Sequence, residues 1–311
     1  MASIVCRDKW KAVRVCAAVL ILGLLVYWLV LYLSQPKVST TDIFIDCETN
    51  FTSTEGTVFI PEESVLKKAR LLDLICLYQR YITNIQTVCH RKERLGGLGH
   101  GGWDICVVSA NPLTTPCLVY SLGINYNFMF DDSIATKYGC EVHSFDPKMG
   151  LGEHDHSLRV HFHPAAISNV NKVDSQGRQL YTLEEAQKRL HHQQRTIDIM
   201  KMDIGSAEWS VLEHISKTAT FGSIKQLVVE FHDFEVINGE KRFGHGSRNQ
   251  YLRQLQILKQ LHNAGFRIFY TETNVACKFR SYYGPEWSSC HKVCLLKVQA
   301  KQNGFLVGWL K

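Results

Sequence analysis

Residues 117–147, CLVYSLGINYNFMFDDSIATKYGCEVHSFDP, constrain the fold more than any other stretch, because they read as strand, turn, helix and strand and close on an acid. Cys117 to Tyr120 is a short apolar run, Gly123 interrupts it, Phe128 to Tyr138 can carry a helix, and Glu141 to Phe145 is a second strand. Such a unit belongs to an α/β sheet, and in a doubly wound sheet the ligand lies over the carboxyl ends of the strands. Asp146 stands at such an end. It follows Gly123 by about 20 residues, the separation at which an acid takes ribose hydroxyls.

The turn itself is poor in glycine. A dinucleotide pyrophosphate needs G-x-G-x-x-G so that backbone N–H groups reach the phosphates, whereas Ser121 to Asn127 offers Gly123 and two asparagines. Asparagine tolerates positive φ, so a tight turn can still form. A ribose-binding acid without a phosphate cradle is most compatible with S-adenosylmethionine; the plain alternative is a βαβ unit in which Asp146 caps a loop. A formal G-x-G-x-x-G does occur at Gly97, Gly99 and Gly102, but the pattern places no strand before it and a strand, Trp103 to Val108, after it, so it reads as a loop.

The chain has 311 residues, 45% hydrophobic and 21% charged, which suits one globular domain with an appendage. The appendage is Val15 to Leu33, an uncharged run long enough as a helix to cross a bilayer core of about 30 Å. Arg7, Lys9, Lys11 and Arg14 precede it, while Lys37 after it is diluted by Asp42, Asp46 and Glu48, so residues 1–14 are expected to be cytosolic and the rest lumenal. Residues 34–60 are polar and read as a lumenal stem, with an acceptor sequon at Asn50-Phe51-Thr52; the folded domain is expected over 61–311. This is the layout of a single-pass type II protein of the endoplasmic reticulum or Golgi. The net charge of +6 is partly the membrane flank, and no Lys/Arg cluster with interleaved aromatics points to nucleic acid.

Nine of the eleven cysteines fall on the lumenal side, an odd number that leaves at least one free or paired between chains. Cys277 and Cys290 flank a polar and aromatic loop and are expected to pair, whereas Cys117 and Cys294 sit in apolar strands and read as buried thiols. No Cys-x-x-Cys pair or zinc-finger spacing occurs, and His154, His156, His161 and His163 are read as loop and half-exposed strand, so no metal is expected.

Further along, Pro61 to Cys76 reads as a helix, Tyr181 to Gln194 as a polar helix with Thr182 as N-cap, and Thr196 to Met202 as a strand ending at Asp203. Glu208 to Ile215 is the next helix, and Ile224 to Phe231 a strand that brings Glu230, His232 and Asp233 to a carboxyl end. Asn249 to Asn263 is an amphipathic helix closed by Gly265, and Phe266 to Thr271 and His291 to Val298 are the last strands.

With these pieces placed, the chain resembles class I S-adenosylmethionine-dependent methyltransferases of the family that includes methyltransferase-like protein 24. The resemblance is carried by the stretch from Cys117 to Pro147 and its lead-in, Gly101 to Cys106. Thr196 to Trp209, TIDIMKMDIGSAEW, is similar to a block of FkbM-type O-methyltransferases, with Gly205-Ser206 where that block has a glutamate-glycine pair. The resemblance spans roughly Gly96 to Val298 and implies a Rossmann-like, seven-stranded, mostly parallel sheet with helices on both faces and the last strand antiparallel. It implies that Ser121, Gly123 and Asn125 line the methionine side of the cofactor and that Asp146 holds the ribose. Lys201, Asp203 and Glu208 would face the methyl-transfer end, Glu208 among the cofactor contacts.

The reaction implied is O-methylation of a hydroxyl on a glycan or lumenal small molecule. Asp203 is then the expected base and His232, whose ordinary pKa suits a slightly acidic lumen, its rival. Asp146 is expected to govern cofactor affinity rather than stability. The layout also suits a Golgi glycosyltransferase, although no Asp-x-Asp triplet is present to hold a sugar-nucleotide diphosphate through a metal. An inactive lumenal binding protein on the same scaffold is the third reading.

Overall fold

In a computed structural model of the chain, residues 58–99, 101–108, 112–237, 240–283 and 286–298 are described, together with Gly23. The expected membrane span at 15–33 lies, apart from Gly23, outside the described residues, as do the 1–14 tail and residues 34–57 of the stem. Among the described residues no helix is long and apolar enough to cross a membrane. The chain divides into two units, Met1–Ile45 and Asp46–Lys311, and the central sheet with its covering helices belongs to the second.

In chain order the main elements of that second unit are helix α1 (Leu71–Thr83), strands β1 (Arg91–Leu95), β2 (Trp103–Val108) and β3 (Leu118–Leu122), helix α2 (Met129–Tyr138), and strands β4 (Glu141–Phe145), β5 (His154–Ser157) and β6 (Val160–His163). Helix α3 (Leu183–Arg189), strand β7 (Ile197–Met202), helix α4 (Glu208–Ile215), strand β8 (Ile224–His232), helix α5 (Arg248–Asn263), and strands β9 (Phe266–Thr273) and β10 (Cys290–Lys297) follow. The central sheet runs β9-β10-β8-β7-β3-β4-β6-β5. Strands β8, β7, β3, β4 and β6 are mutually parallel, and β10 runs antiparallel to both β8 and β9. The expected antiparallel last strand is therefore present.

The sheet has eight strands where seven were expected, because His154–Ser157 folds back on β6 as an antiparallel edge strand. All four side chains of that strand are exposed, so it has no apolar period from which a strand could be read. The central strands are apolar on both faces, as parallel strands must be when both faces are covered. One face packs Tyr120, Leu122, Met200, Leu227 and Phe231 against α1, α4 and α5; the other packs Val119, Val142, Ile199 and Val228 against α2 and the β1–β2 hairpin.

Three local expectations change. The helix read from Pro61 to Cys76 is two pieces, Glu63–Leu66 and α1, because Asp73 Oδ2 accepts hydrogen bonds from the Arg70 backbone and guanidinium and restarts the helix there. Val58 and Ile60, assigned to the stem, are buried in the core, so the folded unit begins before residue 61. The glycine-rich stretch does follow a strand, β1, and is the loop of a hairpin: a Cβ on Gly96 would meet the backbone of Phe130, and one on Gly102 would overlap the Gly97 carbonyl.

Disulfides join Cys89 to Cys106, Cys117 to Cys140 and Cys277 to Cys290. The expected Cys277–Cys290 pair is present. Cys117 is not a thiol; its strand-start position sits beside Cys140 at the start of the neighbouring strand, which places the two within bonding reach. Cys294 is buried and free, and burial pushes its thiol up. A non-reduced digest analysed by mass spectrometry is expected to yield these three cross-links, with Cys294 alkylated only after unfolding; a free Cys117 or Cys140 would contradict this pairing.

Candidate active site

The carboxyl ends of β3, β4, β7 and β8 meet at the point where the chain, having built β4 and β6 on one side of β3, crosses to build β7 and β8 on the other. Gly123 ends β3 with φ +78°, and a Cβ there would overlap the carbonyl oxygen of Asp203. The two strand ends are thus in backbone contact. Gly123 N–H donates to Phe145 O at 2.9 Å and Asp203 N–H to Leu122 O at 3.0 Å, so the turn is tied to both neighbouring strands.

After Gly123 the turn is stabilised by Asp146. Its Oδ2 accepts from the N–H groups of Ile124 (3.1 Å) and Asn125 (2.9 Å), and its Oδ1 from Lys148 N–H (2.8 Å). Asn125 has φ 47°, as its residue type allows. Tyr126 has φ 62°, which no sequence signal announces; its hydroxyl donates to the Met149 carbonyl and so clasps the turn to the loop after Asp146. Asp146 therefore holds the turn, and the expectation that it serves affinity alone is corrected. Removing its carboxylate would strand three amide donors, at a cost of roughly 1–3 kcal/mol.

Lys201 is buried beneath the same turn, and its ammonium donates to Gly123 O at 2.6 Å. Burial pushes this group below the ordinary lysine value, against the opposing pull of Asp131 and Asp203. The Trp103 ring lies beside it, 5.3 Å from Lys201 Nζ and 4.6 Å from Lys292 Nζ. No motif in the sequence marks this aromatic between two buried lysines. Ser121 is fully buried, next to Asp131, which accepts a hydrogen bond from Ser144 at 2.7 Å. Ser121 thus has no surface to offer a ligand, and Lys201 is occupied in holding the turn rather than placed at its rim.

Across β7, Asp203 and His232 come together. His232 Nδ1 lies 2.9 Å from Glu208 Oε1, and its Nε2 lies 3.7 Å from Asp203 Oδ1 and 3.9 Å from Glu230 Oε1. Glu208 is completely buried in the first turn of α4, where Oε1 also accepts from Ile204 N–H at 2.8 Å. It is therefore not positioned as a direct cofactor contact; it orients His232. The capping alternative for Asp203 is not realised either, since α4 has no side-chain cap. Burial works against the His232 imidazolium, but the Glu208 hydrogen bond and the charges of Glu208, Asp203 and Glu230 outweigh it and raise the pKa. The expectation that an ordinary histidine pKa fits His232 to an acidic lumen is thereby overturned. Neighbouring Asp233 turns the other way, toward Gln254 and Tyr78, and burial raises it to about 7.

A mostly parallel sheet with an acid-held turn at its switch point and a carboxylate–histidine pair beside it defines a cofactor-binding α/β enzyme domain. Residues 76–284 match a family described as "Methyltransferase domain", and the chain belongs to that family. The chain is 27% identical over 217 residues to human "Probable methyltransferase-like protein 24" and 29% identical over 217 residues to its rat counterpart. Each match covers 62% of this chain and 56% of the relative, so the chain spans about half the length of the curated relatives it matches. Among solved structures, a Haemonchus contortus phosphoethanolamine N-methyltransferase 2 complexed with phosphomonomethylethanolamine and S-adenosylhomocysteine aligns at 15% identity and a TM-score of 0.26. That alignment covers 52% of this chain and 36% of the other, a likeness too slight to bear on the fold.

The cofactor of a methyltransferase domain is S-adenosylmethionine, and the residues fit it in part. Asp146 Oδ1 accepts a single hydrogen bond and keeps room for one ribose hydroxyl, whereas Oδ2 is filled by two amides. Gly123→Ala is expected to destabilise the domain by more than the roughly 1–2 kcal/mol of a left-handed alanine, because the Asp203 carbonyl blocks the Cβ. Gly150→Ala, with φ +65° and open space, should cost that backbone penalty alone; equal losses in denaturant unfolding of the two variants would contradict the close approach.

Proposed function

We propose that the protein is a methyltransferase that places a methyl group on a hydroxyl, with His232 as the base. The observation that carries this reading is the buried Glu208–His232 pair, which fixes Nδ1 and leaves Nε2 directed toward Asp203, whose side chain is 37% exposed. S-adenosylmethionine supplies the electrophilic methyl group. His232 Nε2 would take the proton of the acceptor hydroxyl as the methyl group moved to its oxygen and the cofactor left as S-adenosylhomocysteine, and Glu208 would stabilise the imidazolium. Asp203 orients the hydroxyl from the rim, and Glu230 adds negative charge on the same side.

Hydroxyls of glycans or lumenal small molecules are the proposed acceptors. Support for a secretory location is the uncharged run 15–33 with its basic leading flank, the Asn50 sequon and the disulfides Cys89–Cys106, Cys117–Cys140 and Cys277–Cys290. In this reading residues 1–14 are cytosolic, 15–33 anchor the protein in the bilayer, and a short stem carries the catalytic domain into the lumen of the endoplasmic reticulum or Golgi.

A base must be neutral to act, so the raised pKa of His232 places an acid limb in the rate profile above the ordinary histidine value near 6.5. Turnover should rise with pH through that limb. Glu208→Gln removes the leading cause of the upward shift and is expected to move the limb to lower pH while lowering the plateau. His232→Gln should reduce turnover about 10²–10⁴-fold with S-adenosylmethionine binding retained. Release of S-adenosylhomocysteine over a panel of glycan acceptors reads all three; undiminished turnover in His232→Gln would move the base role to Asp203.

A further inference from the structure

At the other end of β4 from Asp146, Glu141, His143 and His192 converge. Glu141 Oε1 lies 3.0 Å from His143 Nε2 and 3.7 Å from His192 Nε2, and one ligand atom from each residue lies within 4.8 Å of the others. A tetrahedral ion with bonds of about 2.0–2.2 Å holds its ligand atoms roughly 3.3–3.6 Å apart, so small side-chain shifts would close the set around one.

The hydrogen bonds behind the three residues decide which nitrogens are bare. His163 Nδ1 faces the Glu153 carboxylate at 3.1 Å, and an ionised carboxylate only accepts, so that nitrogen bears the hydrogen. A neutral His163 then offers a bare Nε2 to His143 Nδ1 at 2.9 Å, which makes Nδ1 the protonated nitrogen of His143. A neutral His143 is left with a bare Nε2 against Glu141 Oε1, acceptor to acceptor. On the other side Arg195 Nη1 donates to His192 Nε2 at 3.1 Å, so His192 Nε2 is bare as well, and its Nδ1–H points to Tyr120 Oη at 3.0 Å. Two imidazole lone pairs and a carboxylate thus face one another, each imidazole oriented through its far nitrogen as metal-bound histidines are.

A cation resolves this arrangement. The ring of His143 is 5% exposed and stacked on His161 and His163, so its Nε2 is held facing Glu141 and His192. Arg195 partly serves, its Nη1 bonding both Glu141 Oε2 at 2.6 Å and His192 Nε2 at 3.1 Å; a bound ion must displace it from His192, and with its side chain 35% exposed it has solvent to turn into. We propose that Glu141, His143 and His192 form a structural site for a divalent transition-metal ion of the zinc class, pinning the turn after α3 to the sheet. Two imidazoles and a carboxylate suit Zn²⁺ by ligand type, with solvent in the fourth position.

The test is calorimetric titration of the chelator-treated full chain with Zn²⁺, paired with Co²⁺ absorption, which reports tetrahedral coordination. One equivalent should bind with a rise in melting temperature. His192→Ala and Glu141→Gln should each weaken binding at least ~10-fold. Arg195→Gln should bind at least as tightly as the parent, since its guanidinium no longer competes, and His232→Gln should bind unchanged. No binding to the parent chain, binding that survives in His192→Ala and Glu141→Gln alike, or loss in His232→Gln would each overturn the site. Should His192→Ala fail to fold, the parent Co²⁺ spectrum and the Arg195→Gln titration decide.

Discussion

The ligand edge of this domain depends on the approach of two backbones at Gly123. The carbonyl of Asp203 occupies the space where any other residue at 123 would carry its Cβ, so β3 and β7 can run side by side up to the switch point only with glycine there. Neither the bend after β3 nor the placement of Asp203 is independent of this contact. The polar groups around it follow from the same geometry. A left-handed turn exposes N–H groups that need acceptors, and the Asp146 carboxylate at the end of the adjacent strand supplies them. The carbonyls on its underside are met by Lys201.

Chemistry is then built on rigid parts. Glu208 enters from the first turn of a helix and His232 from the end of a strand, both buried, so the imidazole is held by elements that the core fixes and not by loops. Asp203, on the loop between β7 and α4, keeps the exposure that an acceptor substrate would need. The division of labour differs from a simple alignment of charged residues with roles. Ser121 and Lys201 support the turn from beneath, Asp146 holds it from the adjacent strand's end with part of one oxygen still free, and Glu208 acts through His232.

Much of this was legible in the sequence because the relevant signals are periodic. Strands β4 and β7, helices α4 and α5 and the N-cap Thr182 follow from apolar spacing and turn residues, the antiparallel last strand follows from the family resemblance alone, and the clustering of Asp146, Asp203 and His232 follows from their places at strand ends. What sequence does not carry is direction. Nothing in TIDIMKMD says that Lys201 points under the turn, nor that Glu208 reaches back to His232 rather than outward. The left-handed Tyr126 and the exposed edge strand His154–Ser157 lack the residue types that announce such conformations. The pairing of Glu208 with His232 could have been found by noting that a helix first-turn acid sits over the adjacent strand's end.

On this geometry the turn at Gly123 and the Asp146 carboxylate would together take S-adenosylmethionine. Isothermal titration of the full chain with S-adenosylmethionine, run beside UDP-sugars with Mn²⁺, tests it most directly. Saturable one-to-one binding of S-adenosylmethionine with no response to the sugar nucleotides is expected. Binding of a UDP-sugar, or no binding of S-adenosylmethionine to the folded protein, would contradict it.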